Sequence, residues 1–271
     1  MRAEAIQKSG RTRRDAKAGA WLTPALLNAI AAVTIASLLI GSGPFAARTW
    51  LPDLWQTDAR MAGVIFWEIR LPRTALALLI GFALGLSGAG MQGFLRNPLA
   101  EPGLVGVSSG AALGAVLVFY FGLLSLGSFM LPLGGIAGAM LALVLLYALA
   151  GGATSVTTLI LAGVAISAAA NALTALALNL APNPFAVYEI LFWLLGSVSD
   201  RGLEHVAMAA PFVVAGSAAI IATGPALDAL TLGEEAAHGL GVDLKRVRLL
   251  VIGGAGLAVG ACVAVSGAIG F

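Results

Sequence analysis

The chain alternates long uncharged apolar runs with short polar stretches, and most runs are near bilayer-crossing length. A membrane helix needs about 20 apolar residues to cross the hydrocarbon core. Runs of that kind fall at residues 21–40, 74–95, 104–124, 130–150, 157–180, 203–223 and 247–266. No charged residue occurs between Pro102 and Tyr188, so that stretch must fold back on itself within lipid. Its breaks fall where turn chemistry is expected, at Gly127-Ser128, Gly151-Gly152 and Pro182-Asn183-Pro184. A shorter run, 185–198, is too brief for a span. It predicts an interfacial or partly inserted helix with Tyr188 and Trp193 near the headgroups. The pattern as a whole predicts an all-α polytopic membrane protein with about seven full spans.

Composition supports that picture. Hydrophobic residues make up 59% of the 271 and charged residues 10%, against roughly 25% charged in a soluble domain. A soluble fold could not give so much apolar surface polar cover. The 35 glycines suit close approach of membrane helices. Gly81 and Gly85 (with Ala89 continuing their face), Gly110 and Gly114, Gly134 and Gly138, and Gly256 and Gly260 each predict a smooth packing stripe; none of them names a function.

The net charge is only +2, but the cations are unevenly placed. Arg2, Lys8, Arg11, Arg13, Arg14 and Lys17 crowd the first turns of the chain. They read as a cytoplasmic topogenic flank, residues 1–20, ahead of a membrane domain over 21–271. A nucleic-acid arm or an export signal around Arg13-Arg14 fits less well, because the apolar run that follows is too long for a signal-peptide core and further spans succeed it. With the N-terminus inside, those six residues join Arg96, Lys245, Arg246 and Arg248, while Arg48, Arg60, Arg70, Arg73 and Arg201 fall outside. Ten against five favours a cytoplasmic N-terminus. Arg70 and Arg73 crowd the outer end of the second span, against the rule, and need their own explanation.

Chemistry within the spans is sparse. Their centres carry no Asp, Glu, Lys, Arg or His, which argues against a proton-coupled transporter or pump. His205 and His238 lie in polar margins with no metal-ligand spacing. Ser108-Ser109-Gly110 has no histidine in any span to activate a serine, which argues against an intramembrane enzyme. The single Cys262 has no disulfide partner within the chain and reads as packing. The Walker A spacing Gly-x-x-x-x-Gly-Lys-Ser/Thr is absent, and no cofactor is implied.

Two polar segments are too patterned for plain connectors. In Arg96-Asn97-Pro98-Leu99-Ala100-Glu101-Pro102-Gly103, two prolines four residues apart rule out a continuous helix. Irregular backbone at membrane depth would have to be buried in protein or line a cavity; a cytoplasmic turn fits the spacing equally. In residues 230–241, Gly233 and Gly241 bracket about two helical turns. Glu234 and Glu235 occupy the first turn, where the helix dipole favours carboxylates, and Ala236, Ala237 and Leu240 make a small apolar face. On the cytoplasmic side, such a helix suits docking into another protein; a loop helix packed on its own spans is the plainer reading.

These segments, together with Ile69-Arg70-Leu71-Pro72-Arg73, Gly85-Leu86-Ser87-Gly88-Ala89-Gly90-Met91-Gln92, Leu104-Val105-Gly106-Val107-Ser108-Ser109-Gly110-Ala111 and Ser266-Gly267-Ala268-Ile269-Gly270-Phe271, resemble the FecCD permease family. Its members are membrane subunits of ABC importers for ferric siderophores, haem and cobalamin. The resemblance runs from about residue 21 to the last. It implies the type II importer permease fold in a bacterial inner membrane. It also implies three kinds of partner: two ABC ATPase subunits, a periplasmic or lipoprotein substrate-binding protein, and a second permease copy or homologous permease. Arg70 and Arg73 would bind glutamates of the binding protein, which suits the planar guanidinium fork. A cytoplasmic coupling loop at about 225–246 would place Gly233, Glu234, Glu235, Ala236, Ala237, Leu240 and Gly241 in a groove of the ATPase. Ser155, Thr157 and Thr158 would fall at the cytoplasmic gate, with Asn171 and Thr174 on the pathway. Gln92, Arg96, Asn97, Pro98, Glu101 and Pro102 would form a structural motif. Members usually have ten helices, whereas this chain stops after about seven inside a motif that normally continues, so a fragment is expected. The alternatives are a secondary transporter of a small solute and an intramembrane enzyme. The cargo is not legible, since permeases for all three chelates share these motifs.

Overall fold

The computed structural model describes residues 2–40, 63–127, 129–150, 156–181 and 184–270. The expectations placed on Arg48, Arg60, Ser128, Gly151, Gly152, Ser155, Pro182, Asn183 and Phe271 lie outside the described residues. Among those described, the architecture is helical, with no strand. The elements are α1 (Arg2–Leu39), a π-helical segment (Ile65–Arg70) running into α2 (Leu71–Leu95), α3 (Val107–Tyr120), α4 (Met130–Ala150), α5 (Val156–Asn179), α6 (Pro184–Leu194), α7 (Leu203–Ile221), α8 (Gly224–Leu230), α9 (Glu234–Gly239) and α10 (Leu244–Ser266).

Among the described residues, six helices are long and apolar enough to cross a membrane: Trp21–Leu39, Ile65–Leu95, Met130–Ala150, Thr157–Asn179, Leu203–Ile221 and Leu244–Ser266. The third expected span is shorter than its apolar run. A 3₁₀ turn, Pro102–Val105, takes its start, Gly106 stands in the left-handed region at φ 79°, and α3 then has 14 residues. That is about 21 Å of helix, short of a full bilayer crossing. The second span is longer than expected, at 31 residues. It begins before the Arg-Leu-Pro-Arg stretch rather than after it. Pro72 would clash with a carbonyl one α-turn back. The preceding π-turn, in which the Leu71 N–H reaches the Phe66 carbonyl five residues earlier, accommodates the ring without breaking the helix.

The chain divides into two compact units, residues 1–74 and 75–271. In the first, Ser37 and Thr74 share a hydroxyl–hydroxyl hydrogen bond of 2.9 Å between α1 and α2. In the second, α10 is the central helix. Its apolar window is 78% buried. It packs on α7, α4 and α3, while α3 also packs on α4 and α5. Small residues make that centrality possible: Gly254, Ala255, Gly256, Ala258, Gly260 and Ala261 are all buried. Gly256 faces Leu143, and Gly260 faces Ala139 of α4.

Three of the four glycine stripes meet a partner helix. Gly110 and Gly114 of α3 face Gly134 and Gly138 of α4 so closely that a methyl group on Gly138 would strike the Gly110 carbonyl. Hydrocarbon supplies no hydrophobic drive between helices, so this contact stabilises through dispersion at short range. The fourth stripe, Gly81 and Gly85 of α2, has no neighbour within 4 Å of either added methyl. The short helix α6 also departs from expectation. Tyr188 is exposed, but Trp193 is 6% exposed and belongs to the main core cluster, while Ile190, one turn earlier, is fully buried. A shared i, i+3 face carries both residues inward instead of leaving Trp193 at a headgroup level.

The glycine contacts give a paired test. Gly138→Ala is expected to destabilise by about 1–3 kcal/mol through overpacking. Gly85→Ala is expected to be neutral or stabilising by up to about 1 kcal/mol through helix propensity. Thermal unfolding in detergent compares the two.

Candidate functional site

The residues singled out in the sequence gather at two places. The first is the start of α2. Arg70 is 6% exposed, and its guanidinium Nη1 donates to the carbonyls of Leu38 at 2.5 Å and Ile40 at 3.1 Å. These are among the last carbonyls of α1, which have no partner inside their own helix. A cation there also meets the negative end of the helix dipole. Arg73, three residues on, is exposed. The structure therefore separates two arginines that the sequence treated as an outward-facing pair: Arg70 closes the end of α1, and Arg73 is exposed.

The second place is built by α8, α9 and the turn after α2. Gly233 (φ 105°) and Gly241 (φ 84°) bound α9, with backbone that few L side chains adopt. Gly241 is the left-handed residue after the helix, and the Val242 N–H closes the end on the Ala237 carbonyl at 3.0 Å. Asp243 then caps α10, accepting from the Lys245 and Arg246 N–H groups at 3.0 and 3.2 Å. Both ends of α9 are thus fixed within a few residues.

The apolar residues of α9 do not form one face. Ala237 is fully buried in the main core cluster and pins the helix to the protein. Ala236 and Leu240, at i and i+4, are exposed together, and Glu234 and Glu235 are exposed in the first turn. Leu240 is 67% exposed, Leu232 69% and Leu99 84%. Sequence reasoning passed over Leu99 and Leu232. The signal available for Leu99 was an isolated leucine in the Pro98–Pro102 stretch, where no regular element could bury it.

The Arg96–Pro102 motif forms a tight connector. α2 ends at Leu95, Arg96 takes φ 50°, and the Asn97 N–H bonds the Gln92 carbonyl at 3.2 Å. The Asn97 side-chain oxygen accepts from the Leu99 N–H at 2.9 Å, and the Ala100 N–H reaches the Asn97 carbonyl at 3.1 Å. Pro98 and Glu101 are exposed, whereas Pro102 is buried at the start of the 3₁₀ turn. The segment is a turn, and the Arg96 Nη2 pairs with Glu234 Oε1 of α9 at 3.1 Å. The two polar segments of the sequence therefore stand at the same end of the second unit. Of the gate and pathway residues, Thr157, Thr158 and Asn171 are exposed on α5 and Thr174 is half-buried one turn beyond Asn171; Ser155 lies outside the described residues.

These features define a polytopic helical membrane protein with a short, externally exposed helix fixed to one end of its bundle. The model of the FecCD transport family matches residues 29–271. The chain belongs to the FecCD transport family. It is 41% identical over 220 residues to the uncharacterized ABC transporter permease protein YvrB of Bacillus subtilis, covering 79% of this chain and 62% of that protein. It is 40% identical over 213 residues to the cobalamin import system permease protein BtuC of Halobacterium salinarum, covering 78% of this chain and 56% of that one. The vitamin B12 import system permease protein BtuC of Salmonella typhimurium is 37% identical over 242 residues, with 88% and 70% covered. Among solved structures, a chain described as an inward-facing conformation of a metal-chelate type ABC transporter superposes with TM-score 0.79 at 31% identity, covering 91% of this chain and 77% of that one. The matches to the first two relatives thus span about three-fifths of those proteins' length.

The division of labour at the start of α2 is measurable as stability. Arg70→Ala is expected to destabilise by about 1–2 kcal/mol through the lost helix-end bonds. Arg73→Ala should stay within about 0.5 kcal/mol of wild type, as an exposed substitution does. Equal losses in detergent-based unfolding would contradict the assignment.

Proposed function

We propose that this chain is the membrane permease subunit of an ATP-driven importer for a metal chelate of the iron-siderophore, haem or cobalamin type. The observation that carries the reading is α9: a helix rigid at both ends, pinned inward by Ala237 and presenting Ala236, Leu240 and two carboxylates outward. Exposed apolar side chains outside the hydrocarbon layer mark a protein interface. In this reading the loop at about 225–246 is the cytoplasmic handle. It is held by one of two ATPase subunits, which hydrolyse ATP on the permease's behalf. A second copy or homologous permease completes the pathway, to which the open face of α5 with Thr157, Thr158, Asn171 and Thr174 contributes. The setting is a bacterial inner membrane with residues 1–20 in the cytoplasm.

On the periplasmic side, Arg73 is the cation offered to carboxylates of a substrate-binding protein. Arg70 supports that site by holding α1 beside it, since its guanidinium is engaged by the carbonyls of Leu38 and Ile40. The vitamin B12 and cobalamin permeases among the relatives favour a bulky chelate as cargo. Small, apolar helix surfaces fit such a ligand better than a charged pathway would.

Reconstitution with the ATPase and binding protein tests the reading, using cyanocobalamin, haem and a ferric hydroxamate siderophore as probes. One of the three is expected to be taken up in an ATP-dependent manner, and uptake of none would contradict the function. Leu240→Asp is expected to reduce ATP-driven uptake at least about tenfold, since burying an unpaired carboxylate in the ATPase interface costs well over 1.4 kcal/mol. Arg73→Glu is expected to weaken binding-protein affinity about tenfold or more, as like-charge juxtaposition does, with membrane insertion unchanged. Normal uptake in the first variant, or unchanged affinity in the second, would remove the corresponding role.

A further inference from the structure

The turn after α2 contains a residue whose backbone and side chain pull in opposite directions. Arg96 occupies the left-handed position that closes a helix, and the bond from the Asn97 N–H to the Gln92 carbonyl five residues back identifies the motif. Glycine is the favoured residue there, because a Cβ in that conformation is strained. A non-glycine residue held in this conformation points to a role for its side chain. What the arginine adds that glycine could not is its guanidinium, which makes a 3.1 Å contact with Glu234 in the first turn of α9.

Two apolar contacts already join the same elements. Gly93 of α2 lies against Leu227 of α8, where an added methyl would meet the leucine at 3.6 Å. Met91 and Phe94 of α2 share one buried cluster with Leu230 of α8 and Ala237 of α9. Apolar contacts of this kind hold surfaces together but resist sliding weakly, because they have no preferred direction. A charge-assisted hydrogen bond has direction and fixes register.

We propose that Arg96 is a positioning residue that latches the cytoplasmic end of α2 to α9, so that movement of the handle is passed to α2 in fixed register. The inference rests on the reading of α9 as the handle of a partner ATPase. Both side chains are about half exposed, at 48% and 51%. An exposed pair contributes little to overall stability, so the latch acts on which position α2 takes relative to α9 and not on whether the protein folds.

Arg96→Gly separates the two roles of the residue. It relieves the backbone and removes the guanidinium, so the melting temperature should be equal to or above wild type. Arg96→Gly and Glu234→Arg are each expected to lower the ratio of probe taken up to ATP hydrolysed by roughly two- to fivefold in the assembled importer, the range an exposed pair commands. The ATPase should still co-purify with Arg96→Gly. The reversed pair Arg96→Glu with Glu234→Arg is expected to recover at least half of the lost ratio, and Arg96→Lys most of it. A wild-type ratio in Arg96→Gly would overturn the latch, as would a reversed pair no better than Glu234→Arg alone. Failure of the ATPase to co-purify with the wild-type chain would instead bring down the handle reading, and the latch with it.

Discussion

Hydrocarbon offers no partner to a peptide N–H or C=O, and most of this chain is too apolar to reside anywhere else. Every described stretch of regular structure answers that constraint with a helix, and the breaks are closed by bonds within the chain. The end of α2 bonds back onto Gln92, Arg70 takes up carbonyls at the end of α1, and Gly241 closes α9. Once the backbone is satisfied, lipid-soluble helices gain little from apolar burial alone, so the contacts must be short. The opposed glycines of α3 and α4, and the small residues that allow α10 to sit at the centre, are the result.

The same constraint explains where chemistry can appear. Charged side chains and irregular backbone collect at the helix ends, and there the structure sets α9, the Arg96 turn and the exposed leucines Leu99, Leu232 and Leu240. Three exposed leucines at one end of the second unit suit a surface that a protein partner covers. In the proposed reading that partner is an ATPase whose work is delivered through α9. In the same reading Arg73, exposed at the start of α2, offers charge to a soluble protein.

Much of this was legible in the residues. The uncharged runs mark the order of most helices, and Gly233 and Gly241 mark both ends of α9. The errors have physical causes. Hydropathy alone cannot distinguish a 3₁₀ turn and a 14-residue helix from a full span, because all three are apolar; the left-handed backbone at Gly106 that divides them is a conformation, not a hydropathy signal. The apolar run places the second span from residue 74 instead of Ile65, since the sequence does not display the π-turn that absorbs the Pro72 ring. Arg70 and Arg73 looked equivalent, because charge counting does not see that one guanidinium bonds the carbonyls of a helix some thirty residues earlier. Ala237 counted as an outward apolar residue because a six-residue helix gives too little periodicity to assign its buried side. The Arg96–Glu234 pair spans 138 positions and has no local signature.

The central claim is that α9 and the Arg96 turn share the cytoplasmic side of the membrane. Thiol labelling from either side of sealed vesicles tests it most directly, in a Cys262→Ala background that removes the chain's one native cysteine. Single cysteines replacing Leu99 and Leu240 should react only with reagent on the cytoplasmic side. Cysteines replacing Leu126, in the α3–α4 connection, and Leu195, after α6, should react only from the periplasmic side. Labelling of positions 99 and 240 from opposite sides, or of both from the periplasm, would contradict the arrangement on which the handle depends.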